Sequence, residues 1–239
     1  MPVQACLNGD RSPADHPACP LTPAQLAADA VAVARAGANG LHVHPRDEDG
    51  AETLAPEHVA AAVTAITAAV ALPVGVTTGA WVAPDPADRV RAVRSWAVLP
   101  EVASVNLHEE GAVEVCRALL EQGVGIEAGI WTPAAAETLV AAGVAPRCVR
   151  ILLEPMDEDV DAASRTATAI EAVLDAAGTT VPRLLHGTDA TTWPMLELAL
   201  RRGHQARIGL EDTLHRPDGS LAAGNEELVR LAAEMALGG

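Results

Sequence analysis

The chain has 239 residues, a length that suits one large domain with a sizeable core. Its formal net charge of −16 disfavours nucleic acids and anionic membranes as partners. The N-terminus lacks the basic and apolar regions of a signal peptide, and no apolar stretch reaches the roughly twenty residues that span a membrane. We therefore expect a cytoplasmic protein that takes small-molecule partners.

All sixteen basic residues are arginines, because the chain contains no lysine. A lysine-free chain cannot perform Schiff-base aldolase chemistry, anchor pyridoxal phosphate or use a P-loop lysine. Given the negative net charge, an anionic substrate would have to meet particular arginines inside a cleft. The cysteines lack C-x-x-C spacing, so we expect buried free thiols and no disulfides at Cys6, Cys19, Cys116 and Cys148.

Eight apolar, β-prone runs alternate along the chain with eight alanine-rich segments of helical character. The predicted strands are residues 3–8, 40–46, 73–79, 102–107, 125–131, 148–155, 182–187 and 205–212. The predicted helices are residues 22–37, 55–70, 85–99, 111–123, 133–143, 159–178, 191–203 and 225–237. Helices between strands indicate a parallel sheet, and eight such units close most simply into one barrel. We therefore predict that residues 1–239 form a single (β/α)8 TIM barrel.

Several helix boundaries carry recognisable signals. Thr22-Pro23, Asp85-Pro86 and Thr132-Pro133 each place a capping side chain before a proline, which tolerates the first helical position. Glycine accepts the left-handed backbone found at helix C-termini. Five helices are predicted to end at such a residue: Gly37, Gly123, Gly143, Gly178 and Gly203.

The main alternative fold is an open, doubly wound sheet. It is disfavoured because no Gly-x-Gly-x-x-Gly follows the first predicted strand and no sequence break divides the chain into halves. In a closed barrel the active site forms at the C-terminal ends of the strands. Residues 9–21, a proline-containing first connection, are long enough to cover that end.

The tetrapeptide His42-Val43-His44-Pro45 ends the second predicted strand. Side chains at i and i+2 of a strand share a face, so both imidazoles are expected to point together, as in a two-histidine metal clamp. The last predicted strand ends in Glu211-Asp212, which supplies a carboxylate suited to be a third ligand. Three protein ligands leave one position open, as in catalytic zinc sites. A His-x-His pair alone is common by chance, so the prediction depends on the two strand ends meeting.

Other polar residues also concentrate at predicted strand ends, where ionisable groups are costly unless they pair, bind metal or do chemistry. They are Asn8, Arg46, Thr77, Thr78, Ser104, Asn106, Glu127, Glu154, His186 and Arg207. Structural alternatives remain open for several of them. Glu127 could pair with an arginine inside the barrel and Arg46 with Asp47, while Glu154 and His186 could be hydrogen-bonded residues of the mouth.

Five segments, in order and position, resemble the β-keto acid cleavage enzymes, a family whose founding activity acts on 3-keto-5-aminohexanoate. The segments are His42-Val43-His44-Pro45-Arg46-Asp47, Val76-Thr77-Thr78-Gly79, Ser104-Val105-Asn106, the strand around Glu127, and Arg207-Ile208-Gly209-Leu210-Glu211-Asp212. The resemblance extends over nearly the whole chain. It implies a zinc-bearing eight-stranded barrel that takes a β-keto acid and acetyl-CoA and yields acetoacetate and a new CoA thioester.

The resemblance also implies a role for each matched residue. His42, His44 and Glu211 would bind zinc, while Asp212 would be the catalytic base and Arg207 the partner that keeps it ionised and oriented. The remaining candidates are Glu127 for catalysis and Thr77, Thr78, Asn106 and Arg46 for substrate binding. A homo-oligomer, most simply a tetramer, is implied in the same way.

Two further functions remain as alternatives. Metal-dependent hydrolases of the amidohydrolase type also combine His-x-His with a late carboxylate, but they place further histidines on strands five and six, where this chain has Glu127 and Glu154. A barrel that merely binds a metabolite would have little use for Asp212 beside a ligand position. Retention of both Arg207 and Asp212 favours the enzyme.

Overall fold

The computed structural model describes residues 2–238. Eight strands, β1 to β8, span Val3–Cys6, Gly40–Val43, Val74–Val76, Val102–Asn106, Gly125–Ile130, Cys148–Leu153, Arg183–Leu185 and Ala206–Ile208. Eight α-helices, α1 to α8, span Pro23–Ala36, Pro56–Ala69, Pro86–Ser95, Ala112–Gln122, Pro133–Ala141, Val160–Ala176, Thr192–Arg202 and Asn225–Gly238. One helix follows each strand. No helix in this described part is long and apolar enough to cross a membrane.

All neighbouring strands are parallel, in the order β7-β6-β5-β4-β3-β2-β1-β8. The two ends of this sheet meet through Gln205, which precedes β8. Its backbone N–H donates to the carbonyl of Arg183 at 2.9 Å, and its carbonyl accepts from the N–H of Leu185 at 3.0 Å. These bonds close the sheet, so the predicted (β/α)8 barrel is confirmed and the open sheet is wrong.

The helix boundary signals are confirmed in detail. The side chains of Thr22, Asp85 and Thr132 each accept a hydrogen bond from a first-turn backbone N–H, which satisfies a donor that has no partner within the helix. All five predicted terminal glycines have positive φ, as the left-handed termination requires. The apolar faces of the helices pack on the outside of the barrel, and all four cysteines are buried free thiols.

The last strand is shorter than predicted, ending at Ile208 instead of residue 212. The following backbone folds into a turn in which the N–H groups of Asp212 and Thr213 both donate to the carbonyl of Gly209, at 2.9 and 3.0 Å. A Cβ atom at position 209 would lie 1.9 Å from the carbonyl oxygen of Cys6 in β1, so only glycine fits there. This turn determines the directions of the carboxylates that follow.

The barrel interior contains a buried polar group below the mouth. Glu127 is fully buried and accepts hydrogen bonds from Arg150 Nε at 2.6 Å and Gln4 Nε2 at 3.0 Å. Arg150 Nη1 in turn donates to Gln205 Oε1 at 2.8 Å. These residues come from β1, β5, β6 and the position just before β8, so the network crosses the inside of the barrel.

Candidate active site

A cavity of about 420 Å3 opens at the C-terminal ends of the strands. It collects six of the predicted site residues: His42, His44, Thr77, Asn106, Arg207 and Glu211. A larger groove of about 680 Å3 lies on the outside between α3 and α4, but its arginines pair with neighbouring carboxylates on the surface. The chemistry-bearing residues are therefore those of the barrel mouth.

Three potential metal ligands converge in this cavity. His42 Nε2 lies 3.2 Å from His44 Nε2, and Glu211 Oε1 lies 4.0 Å from the first nitrogen and 3.7 Å from the second. Zinc binds nitrogen and oxygen at roughly 2.0–2.2 Å, so atoms spaced in this way can share one ion. One ligand atom from each side chain lies within 4.8 Å of those of the other two. The spacing and donor types therefore suit a three-ligand metal site.

The surroundings of the two histidines favour metal binding over protonation. Burial lowers the pKa of His42 to about 3, which keeps its imidazole neutral. His44 Nδ1 lies 2.7 Å from Glu52 Oε1, and a proton held on that nitrogen leaves Nε2 as a lone-pair donor toward His42 and Glu211. Asn8 holds the backbone of His44 through two bonds of 2.9 Å, to its N–H and its carbonyl. Both imidazoles are thus positioned before any ligand arrives.

Arg207 links the two carboxylates that follow β8. Its Nη2 donates to Glu211 Oε1 at 2.7 Å and to Asp212 Oδ1 at 2.6 Å, and its Nε donates to Asp212 Oδ1 at 3.0 Å. The other oxygen of Asp212, Oδ2, is buried without a hydrogen-bond partner among the described residues. Asp212 is fully buried and does not line the cavity, whereas Arg207 and Glu211 do.

The two carboxyl groups titrate in opposite directions. Burial raises the pKa of both, but the charge and hydrogen bond of Arg207 reverse the effect for Glu211, whose pKa falls well below its usual range. For Asp212 burial outweighs Arg207, and the pKa stays above its ordinary value. Arg207 therefore orients Asp212 and lowers its pKa, while burial, the larger effect, keeps that pKa above the ordinary value. Of the two, Glu211 suits a metal ligand and Asp212 suits a proton acceptor.

A second polar group borders the cavity on β6 and β7. His186 Nε2 lies 3.2 Å from Glu154 Oε1, and its Nδ1 lies 3.6 Å from Asp212 Oδ1. Trp131 Nε1 donates to the other oxygen of Glu154 at 2.7 Å. His186 and Glu154 are mouth residues, as one of the sequence interpretations proposed, and they also connect the cavity to Asp212.

The predicted substrate-binding residues separate into two groups. Thr77 and Asn106 line the cavity, where Asn106 Nδ2 also donates to Glu109 at 2.9 Å. Thr78 does not line it, because its hydroxyl is turned to the carbonyl of Ser104 at 2.7 Å. Thr78 therefore holds β3 to β4.

Arg46 and Glu127 also lie outside the cavity lining. Arg46 pairs neither with Asp47 nor with the cavity; its Nη2 donates to the backbone carbonyls of Gly9 and Arg11. It thereby fixes the loop after β1. Glu127 bonds with Arg150, the structural alternative that the sequence left open, and its position in the interior network does not support a catalytic role.

The contact between Glu52 and His44 escaped sequence reasoning. Glu52 reaches His44 because residues 45–53 form a small hairpin, in which Asp47 N–H donates to the carbonyl of Ala51 and Thr53 N–H to that of Pro45. The turn-forming run Asp47-Glu48-Asp49-Gly50 is the signal that could have revealed it. Trp81, half-exposed, donates to the same carboxylate and stacks on His44 with ring centroids 6.2 Å apart.

Comparison with known proteins identifies the family. Residues 1–238 match the sequence model of the beta-keto acid cleavage enzymes. The chain belongs to this family. Its two most distinctive motifs, at the ends of β2 and β8, are the ones that meet in the cavity. Among curated protein sequences, none is significantly similar to the chain.

Solved structures show that this family member shares its fold with proteins of low sequence identity. The binary complex of ObcA with oxaloacetate aligns with a TM-score of 0.71 at 19% identity, covering 93% of this chain and 64% of that one. The ternary complex of ObcA with a C4-CoA adduct and oxalate aligns with a TM-score of 0.72 at 18% identity, with the same coverage. The 3-dehydroquinate dehydratase of Geobacillus kaustophilus aligns with a TM-score of 0.59 at 14% identity, covering 100% of this chain and 92% of that one. The chain thus spans less than two thirds of the length of the ObcA chains.

Proposed function

We propose that this protein is a zinc-dependent β-keto acid cleavage enzyme that takes a β-keto acid and acetyl-CoA and yields acetoacetate and a new acyl-CoA. The observation that carries the proposal is the convergence of His42, His44 and Glu211 with the Arg207–Asp212 pair at one barrel mouth. Family membership supports the substrate class. The ObcA complexes support it further, because oxaloacetate is itself a β-keto acid and the other complex contains a CoA adduct.

The proposed metal is held by His42 Nε2, His44 Nε2 and one carboxylate oxygen of Glu211. Two imidazole nitrogens that lie 3.2 Å apart beside an ionised carboxylate form a donor set that suits a divalent cation. When bound, the ion supplies a Lewis acid for the keto oxygen of the substrate. With three protein ligands, the site leaves room for that oxygen.

Proton removal is assigned to Asp212. The carbon between a ketone and a carboxylate is acidic, and a buried carboxylate with raised pKa and one unpartnered oxygen is suited to accept its proton. Arg207 holds the other oxygen in a fixed orientation. Asp212 does not line the cavity, whereas His186 does, and His186 Nδ1 lies 3.6 Å from Asp212 Oδ1, the oxygen that accepts from Arg207.

The remaining chemistry is an exchange of acyl groups on carbon and sulfur. The carbon that has lost its proton attacks the thioester carbonyl of acetyl-CoA, so that a carbon–carbon bond forms while the carbon–sulfur bond breaks and CoA leaves as its thiolate. The thiolate attacks the original acyl carbonyl, the bond between that carbonyl and the central carbon breaks, and the central carbon takes back a proton. One β-keto acid and one acetyl-CoA thus give acetoacetate and one new acyl-CoA, with no net redox change.

The reaction is tested by incubating the purified protein with a panel of β-keto acids and acetyl-CoA. We expect acetoacetate and a new CoA thioester to appear in equal amounts for at least one acid. Turnover that needs no CoA ester, or hydrolysis of amides, would replace this proposal with the hydrolase alternative.

The metal is tested separately by elemental analysis. We expect about one divalent ion per chain in the wild type and loss of that ion in His42→Ala/His44→Ala. The matched control is His58→Ala, which removes a histidine from the outer face of the barrel. Retention of zinc by the double variant would show that the ligand assignment is wrong.

A further inference from the structure

The charged residues that line the cavity limit which groups can bind the carboxylate of an anionic substrate. The lining contains four carboxylate residues, Asp10, Glu154, Asp189 and Glu211, and two arginines, Arg11 and Arg207. A substrate carboxylate that enters this acidic site in a chain of net charge −16 needs a specific cation. The proposed metal ion is assigned to the keto oxygen, so among the side chains the carboxylate requires an arginine whose charge is not already neutralised by buried partners.

Arg207 is not such a cation. Its Nε and Nη2 already donate to Glu211 and Asp212 at 2.6–3.0 Å. Both of those carboxylates are held in the site, so a substrate anion would have to displace a metal ligand or the proposed base. Arg46, the candidate from the sequence, is directed at backbone carbonyls and does not line the cavity.

Arg11, in contrast to Arg207, is not engaged by a buried carboxylate. Its Nη2 donates to Asp189 Oδ1 at 2.7 Å, but 69% of the Asp189 side chain is exposed to solvent. An ion pair with so exposed a partner contributes little to stability and can exchange. The Nε of Arg11 is buried and has no hydrogen-bond partner among the described residues. A buried donor without an acceptor, next to a replaceable one, is suited to a carboxylate that binds both nitrogens.

The position of Arg11 is fixed relative to the proposed metal ligands. Its backbone N–H donates to the carbonyl of Asn8 at 3.0 Å, and its carbonyl accepts from Arg46 Nη2 at 3.1 Å. Asn8 also binds the backbone of His44 on both sides. The backbone of Arg11 is therefore held through Asn8 to the same element as His44, one of the proposed metal ligands.

We propose that Arg11 binds the substrate carboxylate and that Asp189 occupies this position only until the substrate arrives. The inference rests on the proposed function for the identity of the substrate, a β-keto acid. It assigns to the loop after β1 the recognition of the acid group, while the keto group lies toward the two histidines. Arg11 is thus a specificity residue that distinguishes acids from esters and amides.

The test compares binding of acetoacetate with binding of its uncharged methyl ester, measured by calorimetry on purified protein of known zinc content. We expect Arg11→Gln to raise the Kd for acetoacetate by about ten- to a hundredfold, the range for a hydrogen bond to a charged group. The Kd for the ester should change by less than about threefold, since the ester lacks the charge that such a bond uses. Asp189→Asn should bind acetoacetate as tightly as the wild type or more tightly, because it removes the competing anion.

A purely structural link between the two loops gives a different pattern. In that case Arg11→Gln and Asp189→Asn would weaken binding equally, and the double variant would be no worse than either, which would overturn the inference. Thermal melting and zinc content of each variant confirm that fold and metal site are retained. Equal affinity of the wild type for acid and ester would also overturn it.

The binding assay does not depend on turnover, so the two proposals fail separately. If no β-keto acid reacts with acetyl-CoA but Arg11→Gln still loses the preference for the acid, the proposed function is wrong and the carboxylate site stands. If turnover occurs and Arg11→Gln binds acetoacetate like the wild type, the reaction stands and the role of Arg11 is wrong.

Discussion

His44 Nδ1 and Glu52 Oε1 are 2.7 Å apart, although Glu52 lies eight residues beyond the histidine and outside every strand. Burial alone would raise the pKa of Glu52, but hydrogen bonds from His44 and Trp81 and the nearby charge of Arg46 bring it below its ordinary value. The carboxylate is therefore ionised and accepts the Nδ1 proton. Such an arrangement fixes the imidazole tautomer and increases the basicity of Nε2, the atom that faces His42 and Glu211.

Replacing Glu52 by glutamine is expected to weaken zinc binding by about 10- to 100-fold, the usual effect of losing a carboxylate that supports a metal-bound histidine. The measurement is a competition titration against a chelator of known affinity. Glu137→Gln, an exposed substitution on α5, removes the same charge far from the site and should leave the affinity unchanged. Equal affinities of wild type and Glu52→Gln would show that the contact does not support the metal.

Asp212→Asn should lower kcat by a factor of about 10²–10⁴, the usual contribution of a general base, while zinc content stays at the wild-type level. Arg207→Ala should be similarly impaired, and the double variant little worse than either single, because the two residues serve one step. Steady-state kinetics on the best β-keto acid provide the comparison. Multiplicative losses in the double variant would contradict a joint role.

Arg207→Ala also removes the partner of two buried carboxylates, so its stability must be measured alongside its activity. Breaking a buried ion pair on one side typically costs about 3–5 kcal/mol. Asp212→Asn keeps the shape and leaves Arg207 bound to Glu211, so its melting temperature is the control. A kinetic loss in Asp212→Asn with an unchanged melting temperature separates chemistry from folding.

Glu127 and Arg150 are expected to act as a structural pair. Arg150→Met should destabilise the protein by about 3–5 kcal/mol, because it leaves Glu127 charged and buried without its main partner. In urea unfolding, Glu127→Leu/Arg150→Met should lose less free energy of unfolding than the two single variants lose in sum. If Glu127→Gln instead abolished turnover at unchanged stability, the catalytic assignment made from the sequence would be restored.

Asp29, half-buried on α1, should make stability decrease as the pH rises. Burial raises its pKa to about 6 from 3.8, so between these values the native state binds a proton that the unfolded state has lost. The loss of folding stability caused by ionising the buried Asp29 is complete above about pH 6 and disappears below about pH 3.8. Asp29→Asn can still accept the bond from Asn225, and it should be more stable than the wild type by roughly 1–2 kcal/mol at pH 8.

The difference should vanish as the pH falls through 5 toward 4, which unfolding titrations at several pH values would measure. The control is Asp10→Asn, an exposed change in the loop after β1. It should leave the pH dependence of the unfolding free energy unchanged. A pH-independent gain in Asp29→Asn would mean that burial does not perturb this carboxyl.

The sequence was sufficient for the fold and for the prediction that His42, His44 and Glu211 lie close together. Alternation of eight strand patterns with eight helix patterns predicts the barrel, because periodicity and capping act within a few residues of one another. Two histidines at i and i+2 must share a face in any strand, so His42 and His44 could be paired without knowing the tertiary structure. Closure of the barrel places β8 beside β1, which also pairs with β2. Glu211, shortly after β8, is thereby brought near the two histidines.

Only the tertiary structure determined which polar residues belong to the cavity. Glu127 and Glu154 both follow strand patterns, yet one bonds with Arg150 inside the barrel and the other lines the mouth, because their depth depends on strand register and on which neighbours fill the interior. Glu52 and Arg11 lie in loops, whose directions depend on contacts distant in sequence, such as Arg46 with the carbonyl of Arg11. Side-chain periodicity describes regular strands and helices, and it carries no information about where such loops place their charges.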